Sequence, residues 1–189
     1  MIVAFLALLV PAHADDAKAW RAGNYTFSDE LGGFTITGVG GLGTRENPIV
    51  VEEELNSSSP VTLVVRTVFP TVDDPAVGNL ATSALHIKLL IRNGSGQAWV
   101  EFEFELQEIL HQPSIFSDGL SFDQRRDDSD IIRSTRFAHF SRDFEPYDRL
   151  RFTEGKVDPK ERADFSFALT DFTPRWTFYI VQDPRIPSS

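Results

Sequence analysis

From about residue 22 onward, apolar and polar residues alternate with a period of two, and Gly, Pro, Asn and Ser repeatedly interrupt the pattern. Successive side chains of an extended strand point to opposite faces, so this alternation describes strands with one buried side, whereas helices repeat every three to four positions. The spacing predicts strands at residues 24–28, 33–39, 49–55, 61–69, 85–92, 99–107, 150–153, 163–170 and 176–182. About nine short strands separated by turn residues predict an all-β fold, an antiparallel β-sandwich. A short helix is expected only at residues 15–22.

The clearest unit is residues 85–107. Leu85, Ile87, Leu89 and Ile91 share one face of the first strand, and Val100, Phe102, Phe104 and Leu106 share one face of the second. Asn93-Gly94-Ser95-Gly96 reads as the turn of a hairpin between them. Matching the two apolar faces predicts Lys88 opposite Glu103, His86 opposite Glu105 and Arg92 opposite Trp99 on an outer face open to water. Glu52 and Glu54 imply the same outward side for their own strand. Residues 112–137 lack clean alternation and form one long irregular connection, and connections of this length are uncommon unless functional or internally structured.

Residues 2–10 are an apolar run followed by Pro11 and then Ala12-His13-Ala14, the small-x-small pattern of a signal-peptidase site. Residues 1–14 are therefore expected to be a signal peptide and residues 15–189 a single domain. No Lys or Arg precedes the run, which departs from the usual leader and leaves a start upstream open. The run is about half of the roughly 20 residues that a membrane span needs, so no membrane insertion is expected once the leader is removed. A periplasmic or extracellular address follows.

The 28 acidic residues exceed the 18 basic ones, for a net charge of -10. Such a surface repels phosphate backbones, which argues against a nucleic-acid partner. There is no Cys, and Met1 is the only Met, so thiol catalysis and thiolate metal sites are excluded and no disulfide supports the core. The core must come from Val, Ile, Leu and Phe, and the chain holds 16 Phe.

Several constellations invite a chemical reading. Gly38-Val39-Gly40-Gly41-Leu42-Gly43 spells a dinucleotide-binding motif, but that chemistry needs a helix to follow, and Asn47-Pro48 and a strand follow instead. A glycine bend between strands is the favoured reading. Glu101, Glu103 and Glu105 form an acidic row on the predicted outer face, read as a solvated charge ladder beside Lys88 and Arg92 rather than as catalytic carboxylates. Trp99, with Arg92 beside it, is the candidate ligand platform for a sugar ring or a partner's side chain, with cover by Arg92 or by a loop as the equal alternative.

Asp118, Asp123, Asp127, Asp128 and Asp130 are hard oxygen donors that suit calcium, without the spacing of a helix-loop-helix calcium site. Seven basic residues between Arg125 and Arg151 stand against six acids there, so an ion-pair network is favoured over a metal site. His86, His111 and His139 lie on separate segments, which argues against a zinc site. No cofactor is expected, with calcium as the exception to test.

Asn93-Gly94-Ser95-Gly96-Gln97-Ala98-Trp99, then Phe102, Phe104 and Leu106, then Ser117-Asp118-Gly119-Leu120-Ser121-Phe122, resemble a pattern in small secreted bacterial β-sandwich proteins of unassigned function. Phe152 with Gly155, Phe165 with Phe167, and Phe178-Tyr179-Ile180-Val181-Gln182-Asp183-Pro184 extend the resemblance over residues 85–184. It implies an immunoglobulin-like sandwich outside the cytoplasm and brings no catalytic residue with it. The expected function is non-enzymatic: binding a protein or glycan partner, or taking part in an extracellular assembly. The alternatives are a carbohydrate-binding or carbohydrate-hydrolysing module, which would need a carboxylate pair in a cleft, and a calcium-stabilised structural domain.

Overall fold

A computed structural model describes residues 19–68, 84–122, 131–142, 145–171 and 175–187. The expected leader therefore lies outside the described residues, as do Asp123, Asp127, Asp128 and Asp130. The described chain is all-β, so it holds no helix long and apolar enough to cross a membrane. Thirteen strands among the described residues form two sheets.

From edge to edge, the seven-stranded sheet runs β1 (Trp20–Ala22), β2 (Tyr25–Ser28), β5 (Val61–Thr67), β13 (Thr177–Arg185), β7 (Glu101–Gln107), β11 (Arg149–Gly155) and β10 (Phe137–Ser141). The six-stranded sheet runs β3 (Phe34–Gly40), β4 (Ile49–Leu55), β6 (Leu85–Asn93), β12 (Arg162–Asp171) and β8 (Leu120–Phe122), and β9 (Arg133–Ser134) also pairs with β12. All nine segments predicted from alternation are strands, with ends within three residues of those expected.

The other four strands are short or poorly patterned. Trp20–Ala22 is a strand paired to β2, not the end of a helix. The supposed irregular connection contains β8, β9 and the start of β10, and it buries Leu120, Phe122, Ile131 and Ile132. One further correction concerns direction: β4 and β6 are parallel, in register from Ile49 with Ile87 to Leu55 with Asn93, so the six-stranded sheet is mixed.

The sheets pack face to face through aromatic rings. Phe102, Phe104 and Phe152 project from the seven-stranded sheet and Phe165 and Phe167 from the other. Phe165 lies 4.7 Å from the Phe102 ring, 5.1 Å from Phe104, 5.0 Å from Phe152 and 5.8 Å from Phe137. Offset and edge-to-face contacts at these separations add to the burial energy of each ring, which suits a core without sulfur.

The expected hairpin over residues 85–107 is instead an arch between the sheets. The apolar faces were read correctly except at Val100: Leu85, Ile87, Leu89 and Ile91 are buried, as are Phe102, Phe104 and Leu106, whereas Val100 is only partly buried and lines an open cleft. Yet β6 pairs with β4 and β12, while β7 pairs with β11 and β13. Lys88 is in register with Val50 and Ser166 and forms an ion pair with Asp164 at 2.9 Å, so Lys88 and Glu103 belong to opposite sheets. The predicted pairings of His86 with Glu105 and Arg92 with Trp99 fail for the same reason. Two strands can bury matched apolar rows by facing each other across a core just as well as by lying side by side.

Asn93 shapes the arch. Its fully buried side chain donates from Nδ2 to the carbonyls of Gln97 (2.7 Å) and Val157 (3.0 Å) and accepts at Oδ1 from Ser95 N (3.0 Å) and Ser95 Oγ (2.7 Å). Trp99 then bridges to Val157 through both backbone bonds, at 3.0 and 2.9 Å.

Candidate functional site

Loops from both sheets converge at the end of the sandwich where β7 and β12 finish and β11 and β13 begin. The chain leaving β7 doubles back on itself. Ser114 N donates to Leu106 O (2.8 Å), Ser114 Oγ accepts from Glu108 N (3.1 Å), and Gln107 Oε1 accepts from His111 N (2.8 Å). This fold leaves Ile109 52% exposed at the tip.

The next turn is held by Asp118, whose two carboxylate oxygens accept from Ile115 N (2.9 Å) and Leu120 N (3.2 Å). Ile115 and Phe116 ride on that turn, both partly open to water. Tyr147 bridges to Ile115, and Phe116 N donates to Pro146 O (3.1 Å), which joins the β10–β11 connection to the same surface. The Arg149 guanidinium sits over the Tyr147 ring, 5.3 Å from its centre. Buried Asp148 fixes the base: its N donates to Ser114 O (3.0 Å), its O accepts from Leu106 N (3.0 Å), and its Oδ2 accepts from Ser121 Oγ (3.2 Å).

The fifth apolar residue comes from the start of β13. Arg175 Nε pairs with Glu108 Oε2 at 3.1 Å, and Thr67 N donates to Trp176 O at 3.0 Å, leaving the Trp176 side of the turn outward. Trp176 is 70% exposed, the largest such value among the exposed large apolar residues described. Ile109, Ile115, Phe116, Tyr147 and Trp176 belong to the connections at this end; the two other exposed large apolar residues described are Leu31, between β2 and β3, and Ile186, which follows β13. An apolar cluster of this kind on a soluble surface marks an interaction site more readily than scattered single residues do.

Glu108 lies beneath this patch with its side chain only 7% exposed, and its Oε1 has no hydrogen-bond partner. Burial raises its pKa above the usual carboxylate range; nearby Asp118 adds to the rise, Arg175 opposes it, and Asp171 adds again. No three His, Cys, Asp or Glu side chains gather as a metal-ligand set among the described residues. No protein-family model, curated protein or solved structure matches the chain.

The residues singled out from sequence fall elsewhere. Trp99 is fully buried, not on an outer face; it packs edge-on to Phe102 at 5.4 Å, and its Nε1 donates to Ser95 Oγ at 3.2 Å. Arg92 is exposed on β6, aligned with Glu54 and Arg162 on the far sheet. Asp118 is spent as a backbone acceptor in its turn.

The glutamate row does point away from the aromatic core on β7, but it is not a solvated ladder: Glu103 is buried, and the basic neighbours that cover the row are arginines of β11 and β13, not Lys88 and Arg92. Glu101 pairs with Arg151, Glu105 with Arg149 (2.5 Å), and Glu103 with Arg185 (3.6 Å). An open cleft of about 570 Å³ lies along this ladder, lined by Val100, Glu101, Glu103, Arg151, Arg185 and residues following β13. Its charges are already matched within the protein, which leaves the carboxylates as partners of arginine.

The glycine motif is a bend between β3 and β4. The amides of Leu42, Gly43 and Thr44 all donate to Asn47 O, at 3.1, 2.9 and 3.2 Å, so the chain's own carbonyl occupies the cradle that a phosphate would need. Gly41 is required there: it has φ +97°, and a Cβ would lie 2.0 Å from Pro48 O.

None of the five patch residues was singled out from sequence. The available signal was that alternation stops after Leu106 while Ile109, Ile115 and Phe116 continue as apolar residues around Pro113. Apolar residues outside a strand period have no predicted face on which to bury.

Proposed function

We propose that this protein is a non-enzymatic binding module acting outside the cytoplasm, which engages a protein partner through Ile109, Ile115, Phe116, Tyr147 and Trp176. The observation that carries the reading is the concentration of these five exposed apolar residues at one loop end. Exposed Trp and Tyr side chains fixed on a hydrogen-bonded loop base are the kind of anchor that dominates protein interfaces. The aliphatic pair Ile109 and Ile115 favours a protein over a glycan, because a branched alkyl group offers no flat face for a sugar ring to stack on.

An immunoglobulin-like arrangement is part of the proposal, supported by two facing sheets with connecting loops collected at their ends; the parallel β4–β6 pair is its departure. The experiment is affinity capture from the organism's own extracellular and periplasmic fractions, using wild type and an Ile115→Ser/Trp176→Ser variant of matched circular dichroism. A protein held by wild type and lost from the variant supports the reading. Retention of glycans with no protein transfers the patch to carbohydrate binding, which Trp176 and Tyr147 beside Glu108 would then serve.

A further inference from the structure

Glu53 is the one acid of the run Glu52-Glu53-Glu54 that points inward. Ile49, Val51, Glu53 and Leu55 of β4 share the buried face, and Glu53 is 2% exposed. Its register neighbours within the sheet are Ile36 on β3 and Ile91 on β6, both buried. Facing it from the seven-stranded sheet is Gln182 of β13, fully buried between Val61 of β5 and Phe104 of β7.

Both oxygens of Glu53 and both polar atoms of Gln182 are buried without a hydrogen-bond partner in the resting geometry, although the two side chains are near enough for Gln182 to favour the ionised form of Glu53. Four unsatisfied polar atoms inside a Phe- and Ile-lined core carry a large desolvation cost unless they satisfy one another. A carboxylate only accepts hydrogen bonds, so it would leave the Gln182 carbonyl oxygen orphaned and a charge buried. A neutral carboxylic acid donates to that oxygen and accepts from the amide NH2, which satisfies both groups through a small rotation of each side chain.

We propose that Glu53 is carried as the neutral acid and closes a two-hydrogen-bond acid–amide pair with Gln182, a latch between the two sheets that opens when Glu53 loses its proton. Burial raises the Glu53 pKa to about 8 and Asp29 adds to the rise, while in the resting geometry, with the pair not yet closed, the Gln182 amide acts in the opposite sense. Asp29 is the charged group among the described residues that acts on Glu53; the flanking positions on β3, β5, β6 and β7 are apolar. Glu52 and Glu54 lie on the other face of β4.

The folded state holds a proton that the unfolded chain releases above roughly pH 4.5, so the latch is fully stabilising below that value. Its contribution falls about tenfold in the folding constant for each pH unit up to about pH 8 and is constant beyond.

The test is urea unfolding from pH 5 to pH 9 on wild type and Glu53→Gln, with a carboxyl-carbon NMR titration of wild type. The expected result is a tenfold-per-unit decline in wild type that Glu53→Gln lacks, and a Glu53 midpoint near 8. A midpoint in the ordinary carboxylate range overturns the proposal even if the variant fails to fold. Gln182→Leu separates the latch from simple burial: the closed pair holds the protonated form, so its removal should lower the Glu53 midpoint below that of wild type, and an unchanged or higher midpoint overturns the pairing.

Discussion

Replacing Asn93 with Ala tests the arch that carries the chain from one sheet to the other. The Asn93 side chain is fully buried and makes four hydrogen bonds, two donated and two accepted. A net value of about 0.5–1.5 kcal/mol each sets an upper range near 6 kcal/mol. Two compensations reduce it: Val157 O keeps the bond from Trp99 N, and the Ser95 and Gln97 groups lie close enough to the surface to take water. The expected loss is therefore about 2–4 kcal/mol, read as a change in unfolding free energy by urea titration with an unchanged slope. Had residues 93–96 been an exposed hairpin turn, the same substitution would cost under about 0.5 kcal/mol. A measured loss below about 1 kcal/mol would refute the arch. Asn93→Asp, which keeps the acceptor but discards both donors and buries a charge, should lose at least as much near neutral pH.

Two further outcomes follow from the packing and the loop base. Phe165→Ala removes the ring that meets four other phenylalanines across the sheets and should cost about 3–5 kcal/mol in calorimetric stability; a loss under about 2 kcal/mol would mean that the core collapses around the gap. Asp118→Ala frees the amides of Ile115 and Leu120, which should then exchange faster with solvent while the exchange of buried β7 amides stays unchanged. Equal protection at Ile115 in both proteins would remove Asp118 from the support of the patch.

The strands were legible because a period of two reports directly which side chains face inward, and it did so correctly for Leu85, Ile87, Leu89 and Ile91 on β6 and for Phe102, Phe104 and Leu106 on β7. The same period says nothing about which strand lies alongside. Lys88 was matched to Glu103 on the assumption that neighbours in sequence are neighbours in a sheet, whereas the buried Asn93 side chain bends the chain across the core. Trp99 followed from that error, since it lies just before β7 in the arch and turns inward. Glu53 was legible in principle: it occupies an inward position between Val51 and Leu55, but its two outward neighbours dominated the reading of the acidic run. Exposure of Ile109 and Trp176 depends on loops from distant segments meeting at one end, and no local pattern encodes that meeting.

The binding role of the loop end is tested most directly by a hydrogen-exchange footprint. The protein would be compared alone and with the purified partner recovered by capture, at saturating concentration. Slowed exchange confined to residues 109–116, 145–148 and 175–177, and absent with the Trp176→Ser variant, is the predicted result. Protection that appears instead along the Glu101–Arg151–Arg185 cleft or the β3 edge, with residues 109–116 unchanged, would contradict it.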